Sequence, residues 1–163
     1  MKNVKEYFME VFPGEVPKFV NVVNALPAEK MTWKPDPKSR TAIELASVMA
    51  TELGDVFAML DAGSFAYDPA GQKVFSSPSE AAAALKTNAD KVQARVAGMS
   101  DADWESSAAM MMDGKAVWES TRGGMAWGFL FDLIHHRGQL ATYIRPMGGK
   151  VPEIYGPSAD SAK

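Results

Sequence analysis

Two short strings mark where helices begin: Thr41-Ala42-Ile43-Glu44 and Ser77-Pro78-Ser79-Glu80. Each sets a hydroxyl three residues ahead of a carboxylate. The hydroxyl takes an orphan amide of the first turn, and the carboxylate reaches back to the cap. Pro78 occupies the first helical position, where its missing N–H is harmless. Behind the first box, Ile43, Ala46, Ala50, Leu53, Phe57 and Leu60 recur at helical spacing, and Gly63 suits the C-terminal cap. Behind the second, Leu85, Ala89, Val92, Val96 and Met99 form another stripe, with Gly98 near its end.

The flanks read as helical too. Val4, Phe8 and Val11 share one face of a short helix, which Pro13-Gly14 is predicted to interrupt. Pro17 then opens a segment carrying Phe19, Val20, Val23 and Leu26. A loop with Pro27, Pro35, Pro37 and Trp33 follows, up to Arg40. Residues 63–76 and 100–119 read as irregular, the latter with a turn at Asp113-Gly114. A last long helix is predicted over 120–147, with Pro146 and Gly148-Gly149 helping to end it. No strand pair stands out. The expectation is an all-α four-helix bundle with long loops. Its bounds are 1–149, followed by a C-terminal tail, 150–163.

A chain of 163 residues with 47% hydrophobic content has material for one sizeable core. A net charge of −3 argues against nucleic acid or an anionic membrane as partner. The absence of cysteine excludes disulfides, thiolate metal sites and a cysteine nucleophile. The N-terminus shows no secretory pattern, and no apolar run reaches the roughly 20 residues of a membrane span. A cytoplasmic protein is the expectation.

Chemistry concentrates in the last helix. Met125, Phe129, Asp132, His136, Leu140 and Tyr143 fall on one face at 100° per residue. Asp132 and His136 are neighbours at i and i+4, Gln139 lies near the same stripe, and His135 points away. An imidazole and a carboxylate so spaced can hold a divalent ion. Glu52, on the shoulder of the second helix's stripe, is the candidate third ligand. The competing reading is a hydrogen-bonded pair that only orients side chains. A Ser/His/Asp triad lacks a nucleophile elbow, and Gly123-Gly124 follows no strand as a phosphate loop would. Trp33 and Trp104 either line a pocket or pin loops to the core. The other side of this helix, with Trp127, Leu130, Ile134 and Ala141, is also apolar. Either a homodimer partner or the 100–119 segment must cover it.

His135-His136-Arg137-Gly138-Gln139-Leu140 resembles the signature of the DinB/YfiT-like proteins, bacterial four-helix bundles of a damage-inducible family. The approach to the second helix, from Trp33 to Ala46, and the tail from Met147 to Ser158 are similar as well. The resemblance thus covers nearly the whole chain. It implies an up-down-down-up bundle, often homodimeric. Many members hold nickel or zinc through three histidines, one on helix 2 and two spaced His-x-x-x-His on the last helix. Some relatives are transferases or isomerases that use a low-molecular-weight thiol. Carried over, the second histidine of the pair is His136 and the first falls on Asp132. The helix 2 histidine falls at about Val48, and Glu52, one turn on, is the candidate replacement. Ser47, its neighbour, would not restore an imidazole. The functional expectation is a small-molecule-binding or non-catalytic protein with a degenerate pocket for nickel or zinc. The alternative is a divalent-metal-dependent transferase or isomerase. Arg137 is expected to bridge to a carboxylate or carbonyl, Gly138 to permit close helix approach, and Tyr155 to fold back over the bundle end.

Overall fold

The computed structural model describes residues 3–161. Helix α1 spans Val4–Asn24, α2 Ala42–Ala62, α3 Pro78–Ala97, α4 Asp101–Trp104 and α5 Arg122–Ile144. Strands β1 (Ser64–Ala66), β2 (Ser107–Met112) and β3 (Lys115–Thr121) form one sheet in the order β1-β2-β3. The chain is therefore mainly helical with a small sheet, rather than all-α. Helix α2 packs on α3 and α5, and α1 packs on the same two helices. Among the described residues no helix is long and apolar enough to cross a membrane.

Local chemistry places the helix starts where the capping boxes require. Thr41 accepts from the Glu44 amide, and the Glu44 carboxylate accepts from the Thr41 amide at 2.7 Å. Ser77 accepts from the Glu80 amide, but Glu80 turns its carboxylate to the amide and hydroxyl of Ser76 instead of Ser77. Thr121 caps α5, so that helix starts later than expected and Ser120 belongs to β3.

Pro13 and Pro17 both lie inside α1, and Pro13-Gly14 does not break it. The reason is tertiary. Phe8, Phe12, Phe19, Val22 and Val23 are buried along one continuous face. At about 1.5–3 kcal/mol each, these outweigh two interior prolines at about 3 kcal/mol each.

The segments expected to be irregular hold the strands. Asp113 and Gly114 both take positive φ, 51° and 75°, as a two-residue hairpin turn demands. That turn joins β2 to β3 antiparallel, and β1 adds to β2 in parallel register, Phe65 opposite Met110. A bulge between Met110 and Met111 bends the ribbon.

Both tryptophans anticipated in loops pin them. Trp104 is buried against Phe8 and lies where any side chain at Gly123 would stand. Trp33 packs edge-on against Tyr143. The second apolar face of α5 is covered largely by α1: Tyr7 and Phe8 pack on Trp127, and Leu130 is buried. The 107–121 ribbon lies elsewhere on α5, with Trp118 against Gly128 and Phe129.

Gly138 does not serve a close helix approach. A Cβ there would meet nothing within 4 Å, and its backbone is helical and exposed. Gly138→Ala is therefore expected to stabilise the protein by about 0.5–1 kcal/mol in urea denaturation.

Candidate metal centre

Helices α2 and α5 lie side by side. On α5, the i, i+4 spacing brings Asp132 and His136 together, with Asp132 Oδ2 at 3.8 Å from His136 Nδ1. From α2, Glu52 Oε2 approaches the same nitrogen at 3.6 Å. One donor atom from each residue lies within 4.8 Å of the others, the arrangement of a three-ligand cation site. Glu52 and His136 are buried, whereas Asp132 is half exposed at the rim.

Glu52 Oε2 and His136 Nδ1 are both fully enclosed, and neither has a hydrogen-bond partner. Their separation is too long for a bond between them. A buried unpaired polar atom costs about 1–3 kcal/mol, so two facing each other want a common partner. Donors at about 2.1 Å from a zinc-sized ion stand about 3.4 Å apart in a tetrahedral shell. The observed 3.6 and 3.8 Å lie close to that edge. The residues present thus fit a divalent cation by geometry and by donor chemistry.

The electrostatics match. Burial pushes the Glu52 carboxyl up to about 9, and the Asp132 charge and a hydrogen bond of the protonated carboxyl to Asp132 add to the rise. Burial also lowers His136, with Asp132 opposing. Metal-free, the site at neutral pH holds a protonated Glu52 and a neutral imidazole. Asp55, one turn along α2 from Glu52, is pushed up to about 6 by burial. A cation would supply the positive charge that lets both carboxyls ionise.

The group opens onto a cavity of about 380 Å³. Its apolar wall is Val48, Met110, Trp118 and Phe129, and its polar edge includes Arg40, Asp55, Tyr67 and Gln72. Val48 thus sits beside the site without a ligand atom to offer. Ser47 is occupied elsewhere: its hydroxyl accepts from the Phe75 amide at 2.9 Å. Gly128 lets the Trp118 ring close the wall, since a Cβ there would meet it at 2.6 Å.

Sequence reasoning named Glu52, Asp132 and His136, which the structure brings within reach of one another, and missed most of the wall. Trp118 and Met110 lie on the ribbon that was expected to be irregular. The Asp-Gly turn was the signal that would have found them. Gln139 also departs from expectation. It is exposed and hydrogen-bonds His135 Nε2 at 2.9 Å, at i, i+4 on the solvent side. No amide therefore joins the core face.

Helices enclosing a carboxylate–imidazole pocket, closed on one side by a short sheet, define the class of protein. A family model described as the DinB superfamily matches residues 17–140, and the chain belongs to that superfamily. Two solved structures share its fold. A DinB-like protein from Bacillus subtilis, YjoA, superposes with a TM-score of 0.70 at 18% identity, over 91% of this chain and 96% of that one. A DinB-like protein from Bacillus cereus ATCC 10987 gives 0.73 at 17% identity, over 91% and 95%. No curated protein matches the sequence.

Proposed function

We propose that this chain is a small-molecule-binding protein whose pocket takes a divalent cation through Glu52, Asp132 and His136. The facing pair of buried, unpartnered atoms, Glu52 Oε2 and His136 Nδ1, carries this reading. With one imidazole and two carboxylates, the set is harder than three imidazoles. Zinc or manganese suits it better than nickel, and affinity falls below that of a three-histidine site. When bound, the ion supplies a Lewis acid at the inner end of the cavity. Glu52, Asp132 and His136 would hold it, and Trp118 and Phe129 line the cavity beside it. Equilibrium dialysis against zinc, on protein without a His tag, is expected to show one equivalent bound. His136→Ala should weaken binding by more than the roughly 10–100-fold that even outer partners contribute. His135→Ala should leave it unchanged.

A second reading has its own support. Three protein ligands would leave room for a further ligand, and all three residues line a cavity of about 380 Å³. That arrangement suits a metal-dependent transferase or isomerase acting on a low-molecular-weight thiol. Zinc-dependent turnover of a thiol adduct, lost in His136→Ala, would favour it over binding alone.

The pairwise packing of α1, α2, α3 and α5 supports an up-down-down-up four-helix bundle. The tail belongs with it: Asp160 accepts from Arg145 and from the Val151 amide, both at 2.9 Å. The tail's last two residues, 162–163, lie outside the described residues.

The partner we assign is a second copy of the chain. Tyr7 and Phe131 remain 54% and 62% exposed, and they form one aromatic strip with Trp127 between them. A two-fold related copy would bury the strip against itself. Light scattering after size exclusion is expected to give a dimer for the native chain and a monomer for Phe131→Glu. A native monomer at micromolar concentration would end the proposal.

A further inference from the structure

The Glu52–Asp132–His136 pocket adjoins a second cavity of about 410 Å³, and Arg40, Val48 and Gln72 line both. The two have opposite electrical character. The inner one gathers Glu52, Asp55 and Asp132. The outer one gathers Lys34, Lys38, Arg40 and Lys73, with Glu44 its one carboxylate. Four cations beside one acid run against a chain whose net charge is −3.

Most of these charges have little else to do. Glu44 is spent on the α2 cap, accepting from the Thr41 amide and hydroxyl. The Lys34 ammonium donates to the Pro37 carbonyl. Lys73 stands a loose 3.8 Å from Glu80. Lys38 and Arg40 make no side-chain hydrogen bond or ion pair among the described residues. Arg40 also lines the inner cavity, together with Glu52, Asp132 and His136. Between the basic mouth and the acidic end runs the apolar wall of Val48, Met110, Trp118 and Phe129.

We propose that the ligand of this pocket is a small organic anion. Its carboxylate or phosphate head meets Arg40 and Lys38 at the mouth, and its apolar body lies along Trp118 and Phe129. The opposite end of the ligand reaches the Glu52–Asp132–His136 group. The inference deepens the binding function proposed above and rests on it for that inner end only. A guanidinium whose N–H donors make no hydrogen bond or ion pair among the described residues is suited to recognise a carboxylate or phosphate through paired donors. A mouth of one sign also raises the local concentration of such a ligand before it enters.

The test uses three probes of similar size: 3-phenylpropionate, its neutral amide 3-phenylpropionamide, and phenyl phosphate. Binding to the zinc-treated full chain is followed by ligand-observed NMR titration. At least one anion is expected to bind roughly tenfold or more tighter than the amide. That ratio should fall toward one in the double variant Arg40→Gln/Lys38→Gln. The amide reports the apolar body in each protein, so the ratio is read within one folded sample. Whichever anion leads identifies the head group. Equal affinity for amide and anions, an undiminished ratio in the double variant, or no saturable binding at millimolar probe would overturn the proposal. The two readings part cleanly. An anion preference in a protein that fails to take up zinc sinks the cation site and leaves this inference standing. Zinc uptake without anion preference does the reverse.

Discussion

Glu52→Gln is expected to move stability in opposite directions depending on whether zinc is present. In the metal-free protein the carboxyl titrates near 9, against an ordinary value of 4.5, because it is buried beside Asp132. Below 4.5 it is protonated in both the folded and unfolded chains. Between 4.5 and 9 the folded chain keeps a proton that the unfolded chain releases. Stability is therefore full at the acid end and is lost as pH rises through this window, with a slope approaching about 1.4 kcal/mol per unit. His136 acts on the other side. Its folded value is lowered by burial, so it withdraws stability as pH falls below its ordinary 6.5. The glutamine removes the alkaline slope and keeps the shape. At pH 8 the metal-free variant should melt about 5–10 °C above the native chain, a gain of roughly 2–4 kcal/mol. Adding zinc should reverse the order. The native chain gains about 4.1 kcal/mol when zinc stands at about 1,000 times its dissociation constant, enough to overtake the variant. The variant gains almost nothing, because an amide cannot supply the anionic oxygen. Thermal melts at several pH values, with zinc and with chelator, check both halves.

Arg137→Ala is expected to be the most destabilising single change, at about 3–5 kcal/mol in urea denaturation. The guanidinium is 3% exposed and donates to Glu15, itself 5% exposed, and to the Tyr155 hydroxyl. Tyr155 in turn donates to Glu15 at 2.8 Å, closing a triangle between α1, α5 and the tail. Burial alone would raise the Glu15 carboxyl. Donors from Lys18, Tyr155 and Arg137 outweigh it and hold the group below its usual value. Removing the arginine strands that carboxylate in the interior. The double change Glu15→Leu/Arg137→Met should recover most of the loss, since a well-packed apolar pair often matches a buried ion pair. A single variant as stable as the native chain would show that the triangle is ornamental.

The helices and the grouping of Glu52, Asp132 and His136 were legible for local reasons. A capping box is read from two residues, and an i, i+4 pair on a helix needs no knowledge of the rest of the fold. Glu52 was legible because α2's apolar stripe orients everything beside it. The bridge from Arg137 and the return of Tyr155 over the bundle were anticipated from residue chemistry, and the structure joins the two at Glu15. What escaped was decided at long range. The continuity of α1 through Pro13 and Pro17 comes from packing, against local propensity. The β1–β2 pairing joins residues far apart in the chain, and its short strands carry no clear alternation. With the sheet unseen, the tryptophan that walls the pocket was also unseen. Gln139 turned outward because its partner, His135, was close by on the solvent side. The outer basic rim draws on two separate loops, around 34–40 and 69–74, that only the fold brings together.

The central claim is that His136 and two carboxylates share one ion. X-ray absorption at the zinc edge tests it most directly, on zinc-loaded protein carrying His135→Gln so that residue 136 is the only imidazole. The account predicts a shell of oxygen and nitrogen ligands at about 2.0–2.2 Å with the scattering of a single imidazole, which disappears in His136→Ala. Bound zinc without an imidazole, or a spectrum unchanged by His136→Ala, would contradict it.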